Sequence, residues 1–138
     1  MSKNEFLKLL NDDLESEYRS IVQYVQHVNS IKGAKYQNII EEMRTHLNQE
    51  LHHALVLAEQ IDFLGGTPST NVPEFPAVEG PREALMQDLN LEERQLERYR
   101  KRVEQANDLG LPDMAEALAP LLKQTQDHVH DLRTALDQ

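Results

Sequence analysis

Apolar residues recur at steps of three and four along four stretches of the chain, the spacing that gathers them on one face of an α-helix. The first stretch covers about Lys3–Ile31, with Leu10, Leu14, Ile21, Tyr24 and Val28 on its stripe, and Gly33 follows its end. The second runs from about Lys35 to Leu64 through Ile39, Met43, Leu47, Ala54, Leu57 and Ile61, and stops at Gly65-Gly66 with Pro68 beyond. The third spans about Arg82–Leu109 through Leu85, Leu89, Leu96, Tyr99 and Val103, and Gly110 closes it. The fourth opens near Pro112, where proline suits a first helical turn, and carries Leu118, Leu121, Leu122, Val129, Leu132 and Leu136. Pro120 lies within that pattern and predicts a kink or a restart.

Between Gly65 and Gly80 (GGTPSTNVPEFPAVEG) the helical period disappears and three prolines enter. A turn between adjacent antiparallel helices needs far fewer residues. A helix of about 30 residues is roughly 45 Å long, and a segment of about 16 extended residues reaches roughly 55 Å. The connection can therefore run the length of a bundle. The second and third helices are then parallel, which predicts an all-α four-helix bundle with one long crossover between helices two and three.

Polar residues interrupt these stripes at one depth. Glu17 continues the line of Leu10, Leu14 and Ile21, so it points inward; Glu50 and His53 project from one face of helix two; Glu92 and His128 fall near the middle of helices three and four. Midpoints superpose whichever way each helix runs. Buried carboxylates and imidazoles are costly unless they bind something or one another. Three carboxylates and two imidazoles in one core are too many for mutual satisfaction by protonation alone, so a metal centre is expected. A Glu from each of two helices, with Glu-x-x-His from each of the other two, is how some bundles hold two irons or manganeses. Five of those six ligands are present, and the sixth position is Thr125.

Other polar residues are less placed by spacing. Glu15, Glu41, Glu42 and Glu93 rotate about 100° or more from the site residues and are expected in solvent. His46 precedes Glu50 by four residues, leaving open contact with metal or a hydrogen-bonded core position. Tyr24 is either core packing or a phenol hydrogen-bonded to a ligand. His27, His52 and His130 fall off the stripe and are expected at the surface or its edge. Asp127-x2-His130 is an alternative ligand pair on helix four.

The 138 residues fit one domain, 1–138. Cysteine is absent, which excludes thiolate sites, iron–sulfur clusters and disulfides and leaves oxygen and nitrogen as metal donors. The balance of 14 Lys+Arg against 24 Asp+Glu, a formal charge of −10, attracts cations and disfavours nucleic-acid or anionic membrane partners. The basic run Arg94–Arg102 (RQLERYRKR) is interleaved with Glu92, Glu93, Glu97 and Glu104, and is read as a solvated face with i,i+4 pairs. No stretch is apolar enough for a signal peptide or membrane span, so a cytoplasmic location is expected.

Taken together, Glu17-x5-Gln23-Tyr24-x2-His27, Glu50-x2-His53 with Phe63-Leu64-x-Gly66-x-Pro68, Asp88-Leu89-x-Leu91-Glu92 and His128-x3-Leu132 resemble the motifs of bacterioferritin and its ferritin-like relatives, over about residues 3 to 136. The resemblance implies two irons that react with oxygen or peroxide, with Mn or Zn able to substitute. Glu17 and Glu92 would be terminal ligands, Glu50 a bridge, and His53 and His128 one imidazole per iron. Three departures follow. Thr125 stands where a second bridging Glu is expected, which implies a weakened or mono-metal site. Leu51 replaces the haem-binding Met that would follow Glu50, so haem is expected to be absent. The residues after His128 leave no room for the fifth helix of the family's cage, so a homo-oligomer as small as a dimer is expected as readily as a cage. A bundle that binds metal, or is only structural, without turnover is the alternative function.

Overall fold

A computed structural model describes all residues, Met1–Gln138. It contains four α-helices and no strands: α1 (Lys3–Ser30), α2 (Gln37–Phe63), α3 (Pro81–Asp108) and α4 (Pro112–Ala135). No helix is long and apolar enough to cross a membrane. Each end has a local cause. Ser2 and Glu5 form a reciprocal capping box that satisfies two backbone donors at the start of α1. Pro81 and Pro112 occupy first turns, where a missing N–H costs nothing. At the end of α2, the Gly65 and Gly66 amides donate to the Asp62 and Ile61 carbonyls at 2.9 Å. This Schellman turn needs the left-handed conformation of Gly65 (φ 86°). A Cβ on Gly66 would stand 2.9 Å from the Leu7 side chain.

Two boundaries differ from the sequence pattern. The expected first turn of the second helix, from Lys35, is a tighter 3-10 turn over Ala34–Tyr36, and the α-helix starts at Gln37. Pro120 does not restart α4, which runs unbroken from Pro112 to Ala135. Pro120 lies on the exposed face, where water can take the place of the hydrogen bond it removes.

The crossover climbs along α1. Near its start the Asn11 side chain donates to the Thr67 carbonyl and accepts from the Ser69 amide. Higher up, Tyr18 donates to the Ser69 carbonyl at 2.8 Å, and Glu15 accepts from Ser69 Oγ and Asn71 Nδ2. Glu15, expected in solvent, instead anchors this connection. The path then reaches the start of α3, where Gln87 donates to the Pro76 carbonyl. Helices α2 and α3 are consequently parallel. α1 packs on α2 and α3, and α4 packs on the same two helices.

The apolar core divides into two clusters. One is built on Phe6, Leu10, Leu57, Ile61, Met114 and Leu118, the other on Val28, Met43, Leu85, Leu89, Val129 and Leu132. Between them lies a buried polar belt, and it contains every ligand expected from the sequence.

Candidate metal centre

Each helix delivers its polar residue from within an otherwise apolar stripe, so the packing that buries Leu14, Leu57, Leu89 and Val129 also fixes the depth of the charged groups. Glu17, Glu50, His53, Glu92 and His128 are all at most 1 % exposed. Glu17, Glu50 and His53 form one compact group of potential ligands, and Glu50, Glu92 and His128 form a second. Glu50 belongs to both.

His53 Nδ1 lies 3.7 Å from Glu17 Oε1 and 3.6 Å from Glu50 Oε2, while His128 Nδ1 lies 3.4 Å from Glu92 Oε2 and 2.7 Å from Glu50 Oε1. Neighbouring donors that share an ion at about 2.1 Å are themselves roughly 3.0–3.4 Å apart, so the His53 pairs would close slightly, the His128–Glu92 pair already fits and the His128–Glu50 pair would open slightly. The donor set also fits a metal in its valences. Glu17 Oε2, both oxygens of Glu50, Glu92 Oε2 and the Nδ1 atoms of His53 and His128 make no well-aligned hydrogen bond, although several lie close to one another. Buried polar atoms are rarely left so. These six atoms come from the five side chains that gather in the two groups sharing Glu50.

The remaining atoms of the same side chains are held firmly. Glu17 Oε1 accepts from Gln95 and from Tyr99, each at 2.6 Å, and Glu92 Oε1 accepts from Tyr24 at 3.1 Å. His53 Nε2 donates to Gln124 Oε1 at 2.7 Å, and His128 Nε2 donates to Gln49 Oε1 at 2.6 Å. Each imidazole is thereby left with Nδ1 facing inward, the outer hydrogen bond fixing the orientation as in metal-ligating histidines generally. Each terminal carboxylate has one oxygen pinned and one free.

Charges without a metal are shared among these groups. Burial and the negative Glu17 and Glu92 push Glu50 well above the usual carboxylate range. Burial also opposes charge on Glu17 and Glu92, but the neighbouring Glu50 carboxyl and His53 imidazole at Glu17, and the charge of His128 at Glu92, outweigh it and hold both below their ordinary values. The surrounding carboxylates overcome burial at both imidazoles, raising His53 to about 10 and His128 above its ordinary value. Without a metal, protons are therefore favoured on Glu50, His53 and His128 and disfavoured on Glu17 and Glu92.

Thr125 is buried, but its hydroxyl donates to the Leu121 carbonyl at 2.8 Å and so turns back along its own helix. Asp127 and His130 are exposed, with Asp127 paired to Lys123, and do not replace a bridging carboxylate. His46 is buried beside the centre without joining either ligand group there. Its rings' nitrogens meet Tyr24 at 3.3 Å and Asp131 at 2.9 Å, and it stacks on His128 at 4.0 Å. Burial and the charge of His128 lower it to about 4. Tyr24 takes the hydrogen-bonding role rather than plain packing. His52 is exposed, but His27, expected at the surface, is buried with Nδ1 2.7 Å from Asp88, which also accepts from Gln23.

The partners Gln49, Gln95 and Gln124 are not singled out by stripe position, and Tyr99 is placed on the stripe as an apolar position without its hydrogen bond. A signal for them exists. Gln49-Glu50-x2-His53 is echoed by Gln124-Thr125-x2-His128, and Glu17-x6-Tyr24 by Glu92-x6-Tyr99. In each case the outer residue supports the ligand on the opposite helix.

Comparison with known proteins agrees with this geometry. The chain is 24% identical to a bacterioferritin of Mycobacterium leprae over 96% of its own length and 84% of the relative's. It is 27% identical to a bacterioferritin of Brucella melitensis over 95% and 82% respectively. Among solved structures, ferritin-like diiron-carboxylate proteins from Bacillus anthracis superpose with a TM-score of 0.92 at 32% identity over 99% of both chains. A mycobacterial bacterioferritin superposes with a TM-score of 0.86 at 27% identity, covering 96% of this chain and 83% of the other. A family model described as Ferritin-like domain matches residues 7–138, and the chain belongs to that family.

Proposed function

We propose that this protein binds iron at Glu17, Glu50, His53, Glu92 and His128 and oxidises Fe(II) with dioxygen or hydrogen peroxide, in iron homeostasis or protection from oxidative stress. The observation that carries this reading is the gathering of three buried carboxylates and two buried imidazoles in two groups that share Glu50, with six of their atoms in no well-aligned hydrogen bond. Two Fe(II) substrates supply two electrons. Those electrons and two protons convert dioxygen to hydrogen peroxide, or hydrogen peroxide to two waters.

Within this reading Glu17 with His53 and Glu92 with His128 hold one ion each, and Glu50 lies between them. Tyr99 and Gln95 keep Glu17 Oε2 free for metal, and Tyr24 does the same for Glu92 Oε2. Metal loading works against the raised proton affinity of Glu50, His53 and His128, because a metal binds the deprotonated groups. Mn(II) or Zn(II) suits the same oxygen and nitrogen donors. Haem has no part, since Leu51 offers no axial donor. Exposed Val22 and Val25 on α1 and Leu51 and Leu55 on α2 favour a homo-oligomer.

A second reading, a metal-binding or structural bundle without turnover, is favoured by Thr125. Mixing anaerobically Fe(II)-loaded protein with dioxygen or peroxide separates the two. Oxidation faster than in protein-free buffer, and abolished by Glu50→Ala, supports the ferroxidase-type activity. Metal bound at that site with no acceleration supports the second reading.

A further inference from the structure

The basic run of α3 is not simply a solvated face of i,i+4 pairs. Arg100 pairs with Glu97 and Arg102 forms a buried ion pair with Asp13, but Arg94 and Arg98 form no salt bridge. Across from them on α1, Arg19 also lacks a carboxylate partner. Arg19, Arg94 and Arg98 are the residues common to two adjoining cavities, a cleft of about 340 Å3 bordered by Pro73 and an open groove of about 900 Å3 bordered by Pro76. Three guanidinium groups therefore share one ridge between α1, α3 and the crossover.

No shortage of carboxylates explains this, because the chain has 24 acidic residues against 14 basic ones. Of the acids that line the two cavities, all but Glu83 are committed elsewhere. Asp12 pairs with Lys8, Asp13 with Arg102, Glu93 with Arg133 and Glu97 with Arg100, while Glu15 is held by Ser69 and Asn71. Two of the arginines are also steadied by uncharged partners. The Arg19 guanidinium lies 5.6 Å from the centre of the Phe75 ring and its Nε donates to Gln23 at 2.7 Å; Arg98 Nη1 reaches the Asp12 carbonyl at 3.4 Å. Burial and the charge of Arg94 lower Arg19 below the usual arginine range, as expected for cations gathered without an anion.

We propose that Arg19, Arg94 and Arg98 form a binding site for a phosphate-class oxyanion, either free phosphate or the phosphate group of a nucleotide. A guanidinium presents a planar fork that matches two phosphate oxygens, and several forks around one cleft favour a compact multivalent anion over chloride. A nucleic-acid backbone is disfavoured by the net charge of −10. The site uses none of the candidate metal ligands, so it stands or falls separately from the proposed iron chemistry.

The test is calorimetric titration of metal-free protein at constant ionic strength with inorganic phosphate and, in a separate arm, with AMP. Saturable binding of one anion per chain is expected, weakened about tenfold or more by Arg19→Gln and by Arg94→Gln. Arg100→Gln, on the same helix but already paired with Glu97, should leave it unchanged. Arg94→Lys keeps the charge and loses the fork, and should also weaken binding; thermal melting checks that each variant is folded. Saturation by phosphate assigns the free anion, and saturation by AMP alone assigns the nucleotide. The proposal is overturned by no saturable heat in either arm, or by an Arg100→Gln loss as large as that of Arg94→Gln, which would mean diffuse charge attraction.

Discussion

Helices α1 and α2 and helices α3 and α4 bring nearly the same equipment to the centre, and among the candidate ligand positions they differ at one residue. Glu17 and Tyr24 on α1 answer to Glu92 and Tyr99 on α3, each phenol bonded to the opposite carboxylate. Gln49 and His53 on α2 answer to Gln124 and His128 on α4, each glutamine holding the opposite imidazole. Glu50 answers to Thr125. A phenol and a glutamine support each half, so what α4 lacks relative to α2 is a carboxylate. Three carboxylates would face the four charges of two divalent ions, which leaves the pair under-neutralised and one ion more weakly held.

The largest effect is expected from Glu50→Ala, because Glu50 alone belongs to both ligand groups. Metal affinity in both halves should fall more than about a hundredfold, beyond the 10–100-fold typical of losing an outer partner. Titration with Co(II) or Zn(II), with helicity followed by circular dichroism, measures this. If one half keeps its affinity, Glu50 is not shared.

Thr125→Glu should make the halves equivalent. The added carboxylate brings metal stoichiometry towards two tightly bound ions per chain and speeds Fe(II) oxidation, while the metal-free variant loses on the order of 1–3 kcal/mol for an extra buried polar group. Unchanged stoichiometry in a protein that already binds two ions tightly would show that another group completes the α4 half.

Acidity sharpens the comparison next. Glu50, His53 and His128 hold protons above their ordinary values in the metal-free protein, and each must release its proton to bind metal. Affinity should therefore rise with pH, by about tenfold per pH unit for each proton released. Stability without metal should move the other way. His53 is raised from 6.5 to about 10, so its contribution is complete below 6.5 and is lost as pH climbs through 10. Melting temperatures of metal-free and Zn(II)-loaded protein across that range check both signs.

The smallest effects should come from the phenols, which separate the halves without removing a ligand. Tyr99→Phe should weaken the ion held by Glu17 and His53 by about tenfold, and Tyr24→Phe the ion held by Glu92 and His128, on the scale of outer partners to metal ligands. Co(II) absorption bands distinguish the two. Because Tyr99 shares Glu17 with Gln95, its loss should be the better tolerated.

The fold was legible because apolar periodicity and helix stops report on one helix at a time, and a proline-rich segment of that length demands a crossover. Charged residues within those stripes were legible for the same reason. What stayed hidden depends on how two helices are set against each other. Asp13 with Arg102, and Gln23 and His27 with Asp88, run up the α1–α3 contact as buried polar pairs. Spacing within α1 cannot reveal the register of α3, so His27 read as an edge residue. Arg102, seen within a basic run, likewise gave no sign that it would close on Asp13 in the interior. Asp13 itself is raised to about 6, burial outweighing the Arg102 guanidinium.

The most direct test of the two-halved centre is anomalous diffraction at the iron edge from crystals loaded anaerobically with Fe(II). Two peaks should flank the Glu50 carboxylate, one against Glu17 and His53 and one against Glu92 and His128, with the two unequal in occupancy at limiting iron. Iron absent from this belt, or coordinated without Glu50, would contradict the account.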